Sequence, residues 1–225
     1  MKKILLFSLL LSPIVGFGQG HYCEEEQELV NKGLVDIRVI DPTILVELKY
    51  STTDNFTKKD VYGDIDDCFL QPLAAQKLKK ASELLRKNYP NLRLLIYDGV
   101  RSRKVQWKLW NALPDVPPKL RKDYVANPEE GSIHNFGCAV DLTVANADGT
   151  PLDMGTKFDF FGELAYPRLE QQMLNEGKLT QAQLDNRLIL RKVMTKAGFE
   201  GITSEWWHFN ALSRKNAGRK YGIIE

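Results

Sequence analysis

The chain contains two short segments whose side chains can bind a metal ion and transfer protons. In the first, His134 lies in a predicted turn, and Asp141 lies on the polar face of the strand that follows it. In the second, close to the C-terminus, Glu205 and His208 flank two tryptophans. Two histidines and one aspartate form a ligand set suited to Zn²⁺, and a site with three protein ligands leaves a fourth position for water. The pattern predicts one catalytic zinc ion per chain, bound by His134, Asp141 and His208.

Two further residues supply the rest of a hydrolytic mechanism. A zinc-bound water needs a base that takes its proton and later passes it to the leaving amine, and Glu205 is the carboxylate best placed by sequence. This role requires Glu205 to lie outside a regular strand, because positions 205 and 208 of one strand would face opposite sides. Arg101, which follows a predicted strand and its Asp98-Gly99 turn, is a permanent cation that can stabilise the oxyanion. Taken singly, each residue also fits an ordinary structural role, such as a hydrogen-bonded core histidine or a surface ion pair.

The spacing of apolar residues predicts the elements that position these groups. Gly137–Val144 alternates apolar and polar residues, which is typical of a strand with one face toward the core. Capping signals and amphipathic spacing predict three helices, beginning near Pro72, Ser102 and Thr180, the last with a capping box and ending at Gly198. The other predicted elements are strands at Asp36–Ile40, Ile44–Tyr50 and Leu92–Tyr97 and a loop at Pro114–Gly131. The sequence therefore predicts one α+β domain, with helices packed on a mainly antiparallel sheet.

The N-terminus has the composition of a signal peptide. Lys2 and Lys3 precede the apolar run Ile4–Val15, and the small residues Gly16 and Gly18 follow it. The run is shorter than the roughly 20 apolar residues of a membrane-spanning helix. The sequence predicts a cleaved signal peptide at 1–18, a mature domain at 19–225, and an exported protein, periplasmic or secreted, without a membrane anchor.

The composition excludes several classes of partner and fold. Of 225 residues, 43% are hydrophobic and 27% charged, which is the balance of a packed globular domain. The 31 basic residues nearly balance 29 acidic ones and are scattered, so a nucleic-acid partner is not expected. Three cysteines are an odd number for an exported chain: a disulfide between Cys23 and Cys68 is possible in an oxidising compartment. Cys138 is expected to face the core, which disfavours it as a nucleophile.

Taken together, these segments resemble the metal motifs of zinc peptidases that cut D-amino-acid bonds, and among them the D-alanyl-D-alanine dipeptidases of the VanX type. The resemblance extends from about Val35 to Asn210 and includes other blocks in the family's order. These blocks are Leu48–Phe56, Asp98–Arg101, Ser132–Asp141, Met154–Phe160 and Glu205–Phe209. The resemblance implies the same zinc ligands, Glu205 as catalytic base and Arg101 as the residue that stabilises the tetrahedral intermediate. It adds Tyr50, Ser132 and Asp159 as substrate contacts.

The resemblance implies hydrolysis of the dipeptide D-alanyl-D-alanine to two D-alanines, with two departures from the family's pattern. The family commonly has Tyr-Arg-Pro where this chain has Val100-Arg101-Ser102, and the loop Pro114–Gly131 is shorter than in vancomycin-resistance enzymes. Two alternatives remain open. One is a D,D-carboxypeptidase or endopeptidase that acts on peptidoglycan stem peptides; the other is a non-catalytic module that binds the cell wall. The sequence does not indicate the oligomeric state.

Overall fold

The computed structural model of the protein describes residues 22–225, so the predicted signal peptide lies outside the described residues. Eight helices occur in this part of the chain: α1 (Glu24–Asn31), α2 (Ile37–Ile40), α3 (Pro72–Asn88), α4 (Arg103–Asn111), α5 (Pro118–Arg121), α6 (Glu170–Asn175), α7 (Gln181–Ala197) and α8 (Arg214–Lys220). The strands are β1 (Val35–Asp36), β2 (Leu45–Val46), β3 (Phe69–Leu70), β4 (Leu92–Asp98), β5 (Ala139–Asn146), β6 (Glu200–Gly201) and β7 (His208–Asn210). Within residues 22–225, none of the helices has the length and hydropathy needed to cross a bilayer.

The main sheet has the strand order β2-β4-β5-β7-β6, and β1 pairs with β3 in a separate two-stranded sheet. The prediction of a mainly antiparallel sheet is wrong: the sheet is mixed, because β2 pairs parallel to β4. Between these strands the chain passes through β3 and the long helix α3. A crossover of this kind is what parallel pairing requires, and it brings β4 into the sheet in the same direction as β2.

Two long helices cover one face of the sheet. Helix α3 packs beside α7, and both contact the apolar side of the central strands. The fully buried side chains at this interface include Leu78, Leu85, Leu94, Ile96, Leu142, Val144, Leu190 and Met194. Burying each such side chain contributes roughly 1.5–3 kcal/mol, so this layer holds β4 and β5 rigidly in place. The polar face of β5 is also buried, with Asp141 only 3% exposed, because loops cover it.

The helices predicted from caps and amphipathic spacing are confirmed. Pro72 is the first residue of α3, where its missing N–H costs nothing. The Ser102 side chain accepts a hydrogen bond from the N–H of Val105 and begins α4. Thr180 begins α7 with the predicted capping box, and Gly198 ends it in the left-handed conformation at φ +97°.

The early strands are only partly as predicted. β1 ends at Asp36, because the Asp36 carboxylate accepts the N–H of Arg38 and caps the short helix α2. The run predicted as a strand at Ile44–Tyr50 is paired only at Leu45–Val46 and then forms a 3₁₀ turn. In both cases local β propensity was outweighed by a cap or a turn. The predicted loop Pro114–Gly131 also contains α5.

The disulfide considered between Cys23 and Cys68 is absent, since all three cysteines are free thiols. The Cys23 sulfur instead accepts a hydrogen bond from the N–H of Glu26 and caps α1. Cys138 is fully buried, and desolvation raises the pKa of its thiol to about 11. The expectation that Cys138 is not a nucleophile agrees with this environment.

Candidate active site

Three side chains from two distant segments converge on one point. The Nε2 atom of His134 lies 3.2 Å from Nδ1 of His208 and 3.4 Å from Oδ1 of Asp141. The Nδ1 atom of His208 lies 2.9 Å from the same carboxylate oxygen. Donors bound to one tetrahedral zinc ion at 2.0–2.1 Å are separated by about 3.3 Å. The spacing and the chemistry of the three donors therefore suit a tetrahedral cation such as Zn²⁺ with one position left free.

Strand register brings two of these residues together. Asp141 of β5 is paired directly with His208 of β7, so their side chains lie side by side. His134 approaches from a 3₁₀ turn, His134–Phe136, that ends at Gly137. Gly137 has φ +64°, which a glycine adopts without strain, and an added Cβ would lie 3.1 Å from Leu34. The turn therefore directs the imidazole of His134 back over the start of β5.

The outer nitrogens of both imidazoles are held by acceptors. Nδ1 of His134 donates to the carbonyl of Gly99 at 2.7 Å, and Nε2 of His208 donates to Oδ1 of Asn210 at 2.9 Å. With their protons on the outer nitrogens, both rings present unprotonated nitrogens to the cation position when a metal is bound. Sequence reasoning missed Gly99 and Asn210. Asn210 could have been found from its position two residues beyond His208 on the same strand face.

Asp141 and His208 shift each other's pKa, and His134 contributes to the shift of Asp141. Burial alone would lower the pKa of His208, but the hydrogen bond and charge of Asp141 outweigh it and raise the pKa to about 9. Burial also opposes ionisation of Asp141, but the charge of His134 and hydrogen bonds from both histidines hold its pKa well below the usual range. Binding of a divalent cation to these donors would therefore compete with protonation of His208.

Glu205 lies outside a regular strand, as its predicted role as catalytic base requires. Strand β7 begins only at His208, so Glu205 lies in the loop before it. Its Oε2 atom is 3.9 Å from Nδ1 of His208. Desolvation raises the pKa of Glu205, and the neighbouring charge of Asp141 raises it further. A carboxylate with a raised pKa is suited to accepting and returning a proton near neutral pH.

The two tryptophans after Glu205 anchor this loop. Trp206 and Trp207 are each 3% exposed, and their rings meet edge to face at 5.3 Å. The indole N–H of Trp206 donates to Thr156 at 2.7 Å, and the carbonyl of Trp207 accepts the N–H of Leu142. The tryptophans are therefore core residues that fix the loop.

Arg101 is buried beside the cluster and is oriented by Asp98. Its Nε and Nη2 atoms both donate to Asp98, and Nη1 donates to Gln106 at 3.0 Å. A guanidinium has five N–H donors, so two remain for a ligand in the cavity. A β-bulge between Ile96 and Asp98 aligns Asp98 opposite Asp141.

Asp98 is an organising residue that sequence reasoning did not identify as part of the site. It is fully buried and accepts the hydroxyl of Tyr62 and the N–H of Gly99 as well as Arg101. It also lies 3.5 Å from Nδ1 of His134. The Asp98 carboxylate thus holds the Arg101 guanidinium. It also supports the loop of Gly99, whose carbonyl accepts a hydrogen bond from His134.

The three residues added by the resemblance also reach the cavity. The hydroxyl of Tyr50 donates to Oδ1 of Asp159 at 3.1 Å, and Oδ2 of Asp159 is buried without a hydrogen-bond partner among the described residues. Asp159 has φ +59°, which is uncommon for a residue other than glycine. Desolvation, with the charge of Asp141, raises its pKa well above the usual value. Ser132 is 9% exposed, and its hydroxyl accepts the N–H of His134 at 3.3 Å.

All eight residues singled out from the sequence line one cavity of about 340 Å³. They are Tyr50, Arg101, Ser132, His134, Asp141, Asp159, Glu205 and His208. The cavity thus combines a candidate cation site, a carboxylate beside it, a buried guanidinium and a second carboxyl group with one oxygen that has no partner among the described residues. This arrangement can bind a small zwitterion and hydrolyse a bond within it.

Comparison with known proteins finds a matching family model and related sequences. The family model described as D-ala-D-ala dipeptidase matches residues 30–221. A D-alanyl-D-alanine dipeptidase of Escherichia coli K12 is 38% identical, over 78% of this chain and 83% of the relative, and one of Enterococcus faecium is 32% identical, over 72% and 83%. A zinc-bound vancomycin-resistance D,D-pentapeptidase aligns at 14% identity and a TM-score of 0.36, over 68% of this chain and 78% of its own. On the family match and the identity to these relatives, the chain belongs to the D-ala-D-ala dipeptidase family of M15 peptidases.

Proposed function

We propose that the protein hydrolyses D-alanyl-D-alanine to two molecules of D-alanine, with one zinc ion bound by His134, Asp141 and His208. The observation that carries the proposal is the convergence of three donor atoms within 3.4 Å of one another, in a cavity that Glu205 also lines. The substrate is inferred from family membership and from the names of the relatives. When bound, zinc polarises the scissile carbonyl and lowers the pKa of water.

Glu205 is the proton carrier in this proposal. Its carboxylate lies beside the cation position and outside the strand, so it can accept the proton of the attacking water. It then delivers that proton to the nitrogen of the leaving D-alanine, which becomes a free amino acid. Its raised pKa supports the first step, because a more basic carboxylate accepts a proton from water more readily.

Arg101 stabilises the negative charge that develops on the carbonyl oxygen. Its guanidinium is held by Asp98 and Gln106, so it is oriented before the substrate binds. A fixed cation in a site from which water is largely excluded stabilises an oxyanion far more than it would in water. Asp98 is therefore a positioning residue for Arg101.

Asp159 and Tyr50 bind the ammonium group of the dipeptide, and Ser132 supplies a further hydrogen bond. The unpaired Oδ2 atom of Asp159 is the strongest support, because a buried carboxyl oxygen without a hydrogen-bond partner among the described residues favours a cationic ligand. The charged ammonium would favour the ionised form of this carboxyl group. The free amino end of a dipeptide would thus be recognised at a fixed distance from the bond that breaks.

Asp159→Asn is expected to lower kcat/KM for D-alanyl-D-alanine about 10- to 100-fold, mainly through KM, since it removes a charged hydrogen-bond acceptor. Asparagine tolerates the positive φ of position 159 and can accept the Tyr50 hydroxyl, so the fold should persist. Steady-state kinetics and zinc analysis of both proteins check this. An unchanged kcat/KM would remove Asp159 from substrate binding.

The decisive test of the proposed function is release of D-alanine from D-alanyl-D-alanine by the purified protein, with and without a chelator. We expect hydrolysis that the chelator abolishes and added zinc restores. Preferred cleavage of stem peptides would instead identify a D,D-carboxypeptidase or endopeptidase. Absence of hydrolysis of both the dipeptide and stem peptides by the zinc-loaded protein would leave only the non-catalytic cell-wall-binding alternative.

We also propose that the protein is exported after cleavage near residue 18, on the strength of the lysines and the apolar run before that position. An exported dipeptidase would act on dipeptide outside the cytoplasm, which suits salvage from wall debris better than drug resistance. N-terminal sequencing of the cell-fractionated protein checks this. An uncleaved chain in the cytoplasm would contradict it.

A further inference from the structure

Three aromatic rings from three separate loops meet at the rim of the active-site cavity. Phe161 contacts Phe56 with ring centroids 5.1 Å apart and Tyr124 with centroids 5.2 Å apart, both edge to face. Phe161 is 41% exposed and Tyr124 is 42% exposed, so this group is not part of the core. We call Phe56, Tyr124 and Phe161 the aromatic bridge. All three residues line the same cavity as the candidate zinc ligands.

The aromatic bridge borders the end of the cavity that holds Asp159. Phe161 lies two residues after Asp159, and the ring of Phe56 meets that of Tyr50 edge to face at 6.3 Å. Tyr50 in turn donates its hydroxyl to Asp159. The bridge is thus adjacent to the carboxyl group that receives the substrate's ammonium in the proposed function.

Phe158 anchors the loop that carries Phe161. Phe158 is half-buried, and its ring meets those of Tyr50 at 5.8 Å and Trp207 at 5.5 Å. Next to it, Asp159 adopts its positive φ, so the chain turns sharply before Phe161. An anchored loop holds an exposed ring in a defined place, and edge-to-face contacts with two other loops favour one arrangement of the three rings.

We propose that the aromatic bridge restricts the substrate to a free dipeptide by closing the cavity beyond Asp159. This inference rests on the proposed function and names the residues that set substrate length. A peptide extended at its amino end would need space where the rings lie. It would also present an amide where Asp159 is suited to an ammonium. The missing ammonium group and the steric block would therefore both disfavour stem peptides. The aromatic bridge provides the steric block.

The test compares D-alanyl-D-alanine with glycyl-D-alanyl-D-alanine, measuring release of the C-terminal D-alanine by chromatography. In Phe161→Ala and in Tyr124→Ala we expect the ratio of kcat/KM for the tripeptide to that for the dipeptide to rise roughly tenfold or more over wild type. Phe160→Ala is the matched control: Phe160 is 43% exposed and adjacent in sequence, but it lines a different cavity. Its ratio should equal that of the wild type.

The possible results distinguish failure of the proposed role of the aromatic bridge from failure of the proposed function. An active wild-type enzyme whose ratio is unchanged in both bridge variants overturns the role of the bridge alone. An equal rise in Phe160→Ala overturns it as well, because the effect would then not depend on the cavity rim. A wild-type protein that does not cleave the dipeptide overturns the proposed function itself. If Phe161→Ala fails to fold by thermal melting, Tyr124→Ala decides the question.

Discussion

Glu205→Gln is expected to lower kcat for D-alanyl-D-alanine by about 10²- to 10⁴-fold, the usual contribution of a general acid–base group. Glutamine has nearly the same shape as glutamate but cannot accept the proton of the attacking water or pass it on. Glu205 lies beside the cation position without belonging to the triad of candidate donors. Zinc content should therefore stay near one ion per chain.

Kinetics together with metal analysis of the same preparation check this prediction. Glu83→Gln is the matched control, because Glu83 is an exposed carboxylate on helix α3 and does not line the active-site cavity. Its activity should equal that of the wild type. Full activity in Glu205→Gln would exclude Glu205 as the base, and loss of zinc in that variant would assign it to metal binding instead.

His208→Ala is expected to lower zinc affinity more than 100-fold and to abolish activity at limiting zinc. Loss of an outer partner of a metal ligand costs about 10- to 100-fold in affinity, so loss of the ligand itself should cost more. The remaining donors would be His134 and Asp141, which leave two corners of a tetrahedral site to water.

Asn210→Ala provides the graded comparison. It removes the acceptor for Nε2 of His208 but keeps the imidazole, so the expected loss of zinc affinity is the smaller, 10- to 100-fold effect. Competition with a chromophoric chelator measures both constants. If His208→Ala keeps its full zinc content, His208 is not a ligand, and the proposed metal site must be abandoned.

These two variants separate the two parts of the proposed mechanism. Glu205→Gln should lose turnover with the metal retained, whereas His208→Ala should lose the metal and turnover together. Added zinc should restore activity to His208→Ala only at concentrations far above those that saturate the wild type. It should not restore Glu205→Gln at any concentration.

Local patterns in the sequence were sufficient for helices α3, α4 and α7 and for the central strand of the site. The capping residues Ser102 and Thr180 and the left-handed Gly198 act within a few residues of the helices they bound. The alternation from Gly137 to Val144 likewise depends only on neighbouring positions. Such short-range signals failed at Asp36, where a cap started a helix inside a run of β-branched residues.

The types of the residues that form the site were also readable from the sequence, because metal and proton chemistry use few side chains. The positions of these residues relative to one another could not be predicted from the sequence. The pairing of Asp141 with His208, the bulge before Asp98 and the parallel pairing of β2 with β4 join positions far apart in the chain.

The sequence by itself determined which groups can act: two imidazoles, their carboxylate partners and one permanent cation. Only the tertiary structure decided that His134 and His208 meet, that Gly99 and Asn210 hold their outer nitrogens, and that three loops join their rings at the cavity rim. Capping and periodicity act between near neighbours. Strand register and loop packing depend on the whole core, which a local pattern does not contain.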